Sequence, residues 1–460
     1  MSNNGSLEKF HYEQSLNRVM KLPSICLFGF AYLAPCTIFT TYGLVTSNTH
    51  GMLALSYLVA TIGMLFTALS YRQMVRAYPI AGSVYAYTQR SIHPNVGFLS
   101  GWAILMDYLL LPVINYVAAS LYIPQLIPAL PSWACILILI VLVTIVNAAG
   151  IKSTSAVNNV LILIQVAFII VVAVQTVRYI RSGGGTGTCF DFTQFFNDGE
   201  FTKEGVGFTA IWGGASLLAL SFLGFDSVTT IAEEAIEPEK NVGRALLIIC
   251  LVAGGVFICL AYLMQCAWPD GWKKFANPDT ASTEYLTFVC GVVISNLFVV
   301  IYACACVASA IASQASAARI LFGMGRDGML PKKIFGHVSK RTKVPIYNIF
   351  IISAISLVGL VLNLEAVTSL VNFGALLGFT LVNISVISRF WIRNKERGGK
   401  AVFMYLVLPV IGACVTGSIW LNLTWYAKIL GFIWLGIGFV YLVIKTKGLK
   451  ELPPEMDLSE

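Results

Sequence analysis

The sequence has few charged residues for its length. Only 11% of its 460 residues are Asp, Glu, Lys or Arg, whereas 57% are hydrophobic. So few charges cannot cover the surface of a soluble protein of this size. The mean hydropathy is +0.79, and long apolar runs separated by short basic segments recur through the sequence. The composition therefore predicts an all-α, polytopic membrane protein.

Histidine is scarce, and cysteine does not follow the spacing of metal ligands. The four histidines lie in predicted loops or in the N-terminal tail, and most of the eleven cysteines are spread singly through apolar runs. We therefore expect neither a metal site nor a cofactor. Residues 1–22 are polar, so we predict no cleavable signal peptide. The net charge of +8 favours contact with anionic lipid of the inner leaflet over nucleic-acid binding.

Twelve apolar segments are predicted to cross the membrane. Because twelve is an even number, both termini lie on one side, and most Lys and Arg residues fall in the loops and tails of that side. The positive-inside rule then places both termini in the cytoplasm. We expect the protein to lie in the inner (plasma) membrane. The predicted spans are 23–48, 52–72, 96–122, 132–150, 154–178, 206–231, 245–267, 285–318, 346–363, 368–389, 402–421 and 429–444.

Two of these spans are predicted to be broken in mid-membrane. The first contains Pro35, which removes a backbone donor, so we expect a break at 34–37. The sixth contains Gly224 beside Asp226, and backbone groups freed there are tolerated only where they line a cavity. Broken helices five spans apart indicate an inverted five-plus-five repeat with a solute site between the breaks. The alternative is two ordinary kinks, which are frequent in membrane helices.

Three segments match a known family in order and spacing: SYRQMVRAYPIAGSVYAYTQRSIHPNVGFLSGW (70–102), GFDSVTTIAEEAIEPEKNVGRAL (224–246) and ARILFGMGRDGMLP (318–331). The chain thereby resembles the amino acid-polyamine-organocation (APC) transporters. The segments AYLAPCTIF, LMDYLLLPVIN, LSFLGFDSVTT and LVNFGALLGFTLVN are most similar to the bacterial putrescine importers. The resemblance implies secondary active uptake and a LeuT-type fold, in which helices 1–10 form the inverted repeats and helices 11 and 12 are appended.

The predicted organisation follows from that resemblance. It comprises a cytoplasmic tail at 1–22, a transport core at 23–390, helices 11 and 12 within 391–446, and a cytoplasmic tail at 447–460. The implied partners are a small-molecule substrate, protons as the coupling ion and the lipid bilayer. The oligomeric state is not indicated.

Asp107 is the main candidate for binding a cationic solute. It lies about eleven residues into the third span, where an ionised carboxylate costs about 2.5–3.5 kcal/mol. No Lys or Arg is expected at that depth, so its partner is a polar cluster, a proton or a cationic substrate. Aromatic rings and freed carbonyls would complete an amine site. The predicted substrate-binding residues are Pro35, Cys36, Thr37, Thr40, Asp107, Tyr108, Trp212, Ser221, Phe222, Gly224, Phe225, Asp226 and Tyr302.

The residues of the predicted site do not decide whether the substrate is an amine or an amino acid. The first break contains no glycine, whereas many amino acid transporters of the family carry a Gly-Ser-Gly-like triplet there, and this difference favours amines. However, Thr40 stands where the putrescine importers carry an aspartate. We therefore predict an importer of putrescine or a related polyamine, with an importer or exchanger of a neutral or cationic amino acid as the alternative. A non-transporting nutrient sensor on the same fold is a further possibility.

Five residues are predicted to act in coupling or gating. Gln165 occupies a position where proton-coupled relatives often place a lysine, and Ser309 and Ser313 lie on one helix face that could offer hydroxyl oxygens to sodium. The resemblance favours protons. Glu233 and Glu234 follow the sixth span and are expected to pair with basic residues at its inner end.

An enzyme is the remaining class to consider, because paired membrane aspartates also occur in intramembrane aspartyl proteases. The usual Tyr-Asp order of that chemistry is reversed here at Asp107 and Tyr108. We therefore predict a transporter and not an enzyme.

Overall fold

The computed structural model describes residues 18–80, 83–203, 206–278, 280–423 and 425–451. These residues are largely helical and contain one isolated β-bridge, between Met20 and Ala235. The α-helices in chain order are α1 Leu22–Leu33, α2 Thr37–Asn48, α3 Leu53–Ala77, α4 Ser83–Ser91, α5 Pro94–Leu126, α6 Ser132–Ala148, α7 Ile151–Arg181, α8 Asp198–Phe201, α9 Gly207–Leu218, α10 Pro238–Ala267, α11 Ala281–Cys290, α12 Val292–Arg326, α13 Lys332–Phe335, α14 Ile346–Ser356, α15 Leu364–Val386, α16 Gly399–Val402, α17 Leu408–Leu421 and α18 Trp425–Lys445.

The helices have the lengths expected of a multi-pass membrane protein. Among the described residues, nine helical segments are long and apolar enough to cross a membrane, and the bent pair of α1 and α2 makes a tenth. Two shorter apolar helices, Ser132–Ala148 and Ile346–Leu360, lie where the fourth and ninth spans were predicted. The predicted all-α membrane class is confirmed.

The largest error in the predicted boundaries concerns the eighth span. The range 285–318 is wrong, because Gly291 adopts φ +90° and separates α11 from the much longer α12. The flanking residues are apolar, so hydropathy alone continues through the break. The tenth and eleventh spans also contain π-helical segments, at Ile387–Arg393 and Phe403–Val407.

The long helix α5 forms the centre of the bundle. It packs against α12 and α15, while α3 packs along α10. In its most apolar window 83% of the residues are buried, against 22% in α18, so α18 is peripheral and α5 is interior. Polar side chains on α5 are consequently held away from lipid. A solute site within a membrane protein needs this interior position.

Candidate functional site

The first predicted span is broken where Pro35 interrupts it. α1 ends at Leu33, Ala34 takes a left-handed conformation with φ +50°, and α2 is bent by 44° relative to α1. Proline has no backbone N–H and its ring blocks the preceding turn, so α1 cannot continue through it. The break therefore lies where the sequence predicted it.

The sixth predicted span loses its α-helical form around Gly224. α9 gives way to a 3₁₀ turn at Ala219–Phe222, and Gly224 then takes φ +95° before another 3₁₀ turn at Phe225–Thr229. Left-handed φ values are strained for residues that carry a Cβ. The region predicted as one span at 206–231 is thus a short helix followed by irregular turns.

The two breaks touch each other. Tyr32 lies in the last turn of α1, and a Cβ placed on Gly224 would overlap the ring of Tyr32. Glycine at 224 is therefore needed both for its backbone conformation and for the close approach of this ring. The contact joins two spans that are far apart in sequence.

A small cavity of about 60 Å³ lies beside this contact. A cavity needs about 10–15 Å³ of such space to hold one water molecule, so this cavity has room for a few water molecules. Four of the predicted site residues line it: Thr37, Thr40, Tyr302 and Ser309. The other lining residues are Tyr32, Leu33, Ala34, Leu111, Ile114, Asn115, Ala118, Leu220, Leu223, Ala305 and Cys306.

Hydrogen bonds across the cavity wall connect four helices, α1, α2, α5 and α12. Thr40 donates to the Tyr302 hydroxyl at 3.2 Å. The Asn115 amide donates to Ser309 Oγ at 2.9 Å, and Ser309 in turn donates to the backbone carbonyl of Tyr32 at 2.7 Å. The carbonyl next to the first break is therefore satisfied by a side chain of α12.

Two buried carboxylates lie next to the cavity rather than in its wall. Asp226 Oδ2 accepts hydrogen bonds from Tyr108 at 2.7 Å and from Tyr71 at 3.2 Å. Asp107 is fully buried, and neither of its oxygens has a hydrogen-bond partner among the described residues. Tyr32 is shared by both regions, since it lines the cavity, packs edge-on against Tyr108, and lies within electrostatic reach of both aspartates.

The other predicted substrate-binding residues are occupied by packing. Ser221 is within hydrogen-bond distance, 3.2 Å, of the Tyr57 hydroxyl. Phe222 packs against Phe257, and Phe225 against Tyr71 and Phe379, so these rings offer little free surface. The described residues that line the cavity do not include Pro35, Cys36, Trp212, Ser221, Phe222, Gly224 or Phe225.

The predicted coupling residues do not form one group. Gln165 is fully buried in α7, where its amide makes a long hydrogen bond of 3.4 Å to the Leu161 carbonyl. Ser313 donates to the Ser309 carbonyl within α12 at 2.7 Å. Of the two serines, only Ser309 lines the cavity.

Buried ion pairs anchor the exit of the sixth span, which is the segment that carries Glu233 and Glu234. Arg326 Nη1 contacts both oxygens of Glu233, at 3.0 and 3.1 Å, and Arg319 pairs with Glu234. The Glu234 carbonyl also accepts the backbone amides of residues 19 and 20, both at 3.0 Å. The exit of the sixth span is thus joined both to α12 and to the chain that leads into α1.

A second ionic cluster lies at the opposite end of the bundle. Glu200 of α8 pairs with Lys203 at 2.7 Å and with His50 at 3.1 Å, and the His50 ring lies 4.7 Å from that of Trp272. Hydrogen bonds from Lys203 and His50 hold the pKa of the Glu200 carboxyl below its usual value. The sequence reasoning did not identify this cluster, because its members come from three separate loops.

Three residues of the site were also missed. Tyr32, Asn115 and Cys306 line the cavity, yet none was predicted as a ligand. Asn115 could have been found, because it lies eight residues after Asp107 and so near the same face of α5. Tyr32 precedes the predicted break by two residues, but its contact with Gly224 has no local signal in the sequence.

Comparisons with known proteins indicate the family of the chain. The family model "Amino acid permease" matches residues 25–447. The low-affinity putrescine importer PlaP of Escherichia coli K12 is 37% identical over 443 residues, covering 96% of each chain. The branched-chain amino acid permease BcaP of Bacillus subtilis is 24% identical, covering 95% of this chain and 94% of its own. The methylthioribose transporter of B. subtilis is also 24% identical, with 94% and 95% covered.

Both the family and the similar proteins are transporters, so the predicted class, a multi-pass membrane transporter of small molecules and not an enzyme, is confirmed. The match covers the broken spans, the central helix α5 and the buried carboxylates as one continuous region. This chain belongs to the amino acid permease family of the APC superfamily.

Proposed function

We propose that this chain is a secondary active importer of a small diamine, with putrescine as its best-matched substrate, working by alternating access. The observation that carries the proposal is the buried pair of Asp107 and Asp226 beside the two breaks. Both oxygens of Asp107 and Oδ1 of Asp226 have no hydrogen-bond partner among the described residues. Each ammonium group of a diamine brings N–H donors and no acceptor, which complements these oxygens. The name of the PlaP importer is consistent with such a substrate.

Tyr32 would control access to these carboxylates. Its ring lines the cavity and packs at 5.7 Å against that of Tyr108, and its own hydroxyl has no partner in the described part of the chain. Rotation of Tyr32 away from Tyr108 would join the cavity to the acidic pair. Thr40 and Tyr302 would then face the distal part of the substrate from the other wall.

Proton coupling is preferred to sodium coupling. A sodium ion at the first break would need freed carbonyl and hydroxyl oxygens, but Ser309 already donates to the Tyr32 carbonyl at 2.7 Å. These two groups therefore satisfy each other without an ion. Gln165 is buried in α7 and does not line the cavity, so we assign it an indirect role through the packing of α7.

The complete topology is part of the proposal. We place twelve spans in the inner (plasma) membrane with both termini in the cytoplasm, and we assign 23–390 to an inverted five-plus-five repeat. Residues 391–446 would form the two appended helices. Residues 1–22 and 447–460 would be the cytoplasmic tails. The positions of the two breaks and the distribution of basic residues support this arrangement.

Transport of a neutral or cationic amino acid is the second candidate, supported by the branched-chain amino acid permease among the similar proteins. An α-carboxylate would need free amide donors at the first break. There, Thr37 and Phe39 already donate to the carbonyls of Ala34 and Cys36, at 2.8 and 3.0 Å. These hydrogen bonds favour the amine.

Uptake by reconstituted vesicles tests the proposal. Labelled putrescine, leucine and arginine are offered at an acidic outside pH, with a protonophore and with sodium replaced by choline. We expect putrescine to accumulate, the protonophore to abolish accumulation and choline to have little effect. Accumulation of amino acids alone would refute the diamine proposal, a strict sodium requirement would refute proton coupling, and binding without accumulation would indicate a sensor.

A further inference from the structure

Three arginines form a cluster at the end of the bundle that carries Glu233 and Glu234. Arg72 and Arg76 lie four residues apart in the last turns of α3, and Arg244 lies in the second turn of α10, which packs along α3. Arg72 is within electrostatic reach of both Arg76 and Arg244. Its stem lies over Gly243, where an added Cβ would be 2.9 Å from Arg72 Cγ.

These like charges lack a counter-ion in the described part of the chain. No described carboxylate lies within ion-pair distance of any of the three, and the nearby Glu237 pairs with Lys240 at 3.3 Å. Arginines four residues apart on a helix repel each other. Their guanidinium groups have a fork geometry that matches the oxygens of phosphate. The cluster is therefore suited to binding the phosphate group of another molecule.

The surface next to Arg244 is suited to the acyl chain of a lipid. Ile248, Leu251 and Val252 follow Arg244 at helical spacings of four, seven and eight residues, and they are 38%, 53% and 48% exposed. Residues at these spacings share one face of a helix. A charged group at the end of an exposed apolar stripe matches a phospholipid, with its phosphate at the arginines and its chain along α10.

We propose that Arg72, Arg76 and Arg244 bind the phosphate of an anionic phospholipid headgroup, such as that of phosphatidylglycerol. Basic pockets between membrane helices are suited to anionic headgroups. The bound phosphate offsets the repulsion among the arginines and joins the end of α3 to the start of α10. Because α10 follows directly after Glu233 and Glu234, the lipid also steadies the exit of the sixth span. The inference requires that α3 and α10 span a membrane, and it is independent of the transported substrate.

The test compares lipid binding by the full-length protein and two charge-matched variants. The first is Arg72→Gln/Arg76→Gln/Arg244→Gln. The second, Lys332→Gln/Lys333→Gln/Lys400→Gln, removes as many positive charges from exposed side chains elsewhere. Phosphatidylglycerol, phosphatidylcholine and glycerol phosphate are added separately to detergent-purified protein, and the melting temperature and the retained lipid, by native mass spectrometry, are recorded.

We expect phosphatidylglycerol to raise the melting temperature of the native protein and of the lysine variant, and to have little effect on the arginine variant. Each surface arginine contributes about a factor of five in affinity for an anionic lipid. The arginine variant lacks three of them and should therefore bind phosphatidylglycerol roughly a hundredfold more weakly. If the triple variant does not fold, Arg244→Gln alone should show a smaller loss, because Arg244 is exposed. Equal phosphatidylglycerol binding by the arginine and lysine variants would overturn the proposal, as would an equal response to glycerol phosphate, which would indicate a site for soluble phosphate.

Discussion

The Tyr108 hydroxyl donates a hydrogen bond of 2.7 Å to Asp226, and this bond joins the central helix α5 to the irregular segment of the sixth span. Both residues are fully buried, so the bond is protected from water. It fixes one oxygen of Asp226 and leaves the other available. Any solute that reaches Asp226 therefore meets a carboxylate whose orientation is already set.

Tyr108→Phe should lower the free energy of unfolding by about 1–2 kcal/mol, because it removes a donor from a buried carboxylate. Putrescine uptake should fall with it. The matched control is Tyr116→Phe on the same helix, since the Tyr116 hydroxyl is buried without a partner among the described residues. Thermal melting and initial uptake rates measure both variants, and equal effects would show that the bond to Asp226 is unimportant.

Gly224→Ala should abolish uptake while the protein still reaches the membrane. The added Cβ overlaps Tyr32, and the φ of +95° adds strain of about 1–3 kcal/mol. Gly213→Ala is the control, because a Cβ at Gly213 meets no atom within 4 Å. Adding Tyr32→Ala to Gly224→Ala should restore part of the protein's stability. Wild-type uptake by Gly224→Ala would contradict the role of this contact.

Asp107→Asn and Thr40→Asp test the diamine site from its two sides. Removing the charge of Asp107 should weaken putrescine binding by roughly a hundredfold to a few thousandfold, as expected when a buried ion pair loses one partner. Thr40→Asp adds a further anion at the cavity wall, where Thr40 now donates to the Tyr302 hydroxyl at 3.2 Å, and should lower the KM for putrescine. Concentration-dependent uptake measures both, and unchanged kinetics in the two variants would remove these residues from the site.

Glu200→Gln should destabilise the protein at neutral pH and have little effect in acid. Hydrogen bonds from Lys203 and His50 lower the pKa of Glu200 in the folded state, so its contribution to stability is present above the unfolded-state pKa and is lost as the pH falls through the folded-state value. The difference in melting temperature from the native protein should therefore shrink as the pH falls below the usual carboxyl pKa. Glu237→Gln, in an exposed pair with Lys240, is the control. A difference that does not change with pH would contradict the assignment.

The sequence predicted the features of the fold that have a local cause. Proline cannot continue a helix, so the break at Pro35 could be placed to within a few residues. The start of α12 could not be placed, because Gly291 is flanked by apolar residues and the break there is visible only in its φ of +90°. Hydropathy reports whether a segment prefers lipid, but not whether its backbone is continuous.

The candidate site was only partly predictable for a different reason. Thr37, Thr40, Tyr302 and Ser309 were expected and line the cavity, whereas Tyr32 and Asn115 were missed. Phe222 and Phe225 were expected from their chemistry, but their rings pack against other aromatic residues. Which face of an irregular segment points towards a solute depends on contacts between distant spans, and a single sequence does not record them.

Glu234 takes part in two attachments at once. Its carboxylate pairs with Arg319, and its carbonyl accepts the backbone amides of Val19 and Met20. If the chain that leads into α1 moves away from Glu234, two backbone hydrogen bonds break. The surroundings of the buried Glu234 carboxylate change at the same time. Loosening one attachment exposes the other to water, so the two are expected to fail together. We therefore expect opening at this end of the molecule to break both attachments together, rather than to proceed as gradual fraying of a helix terminus.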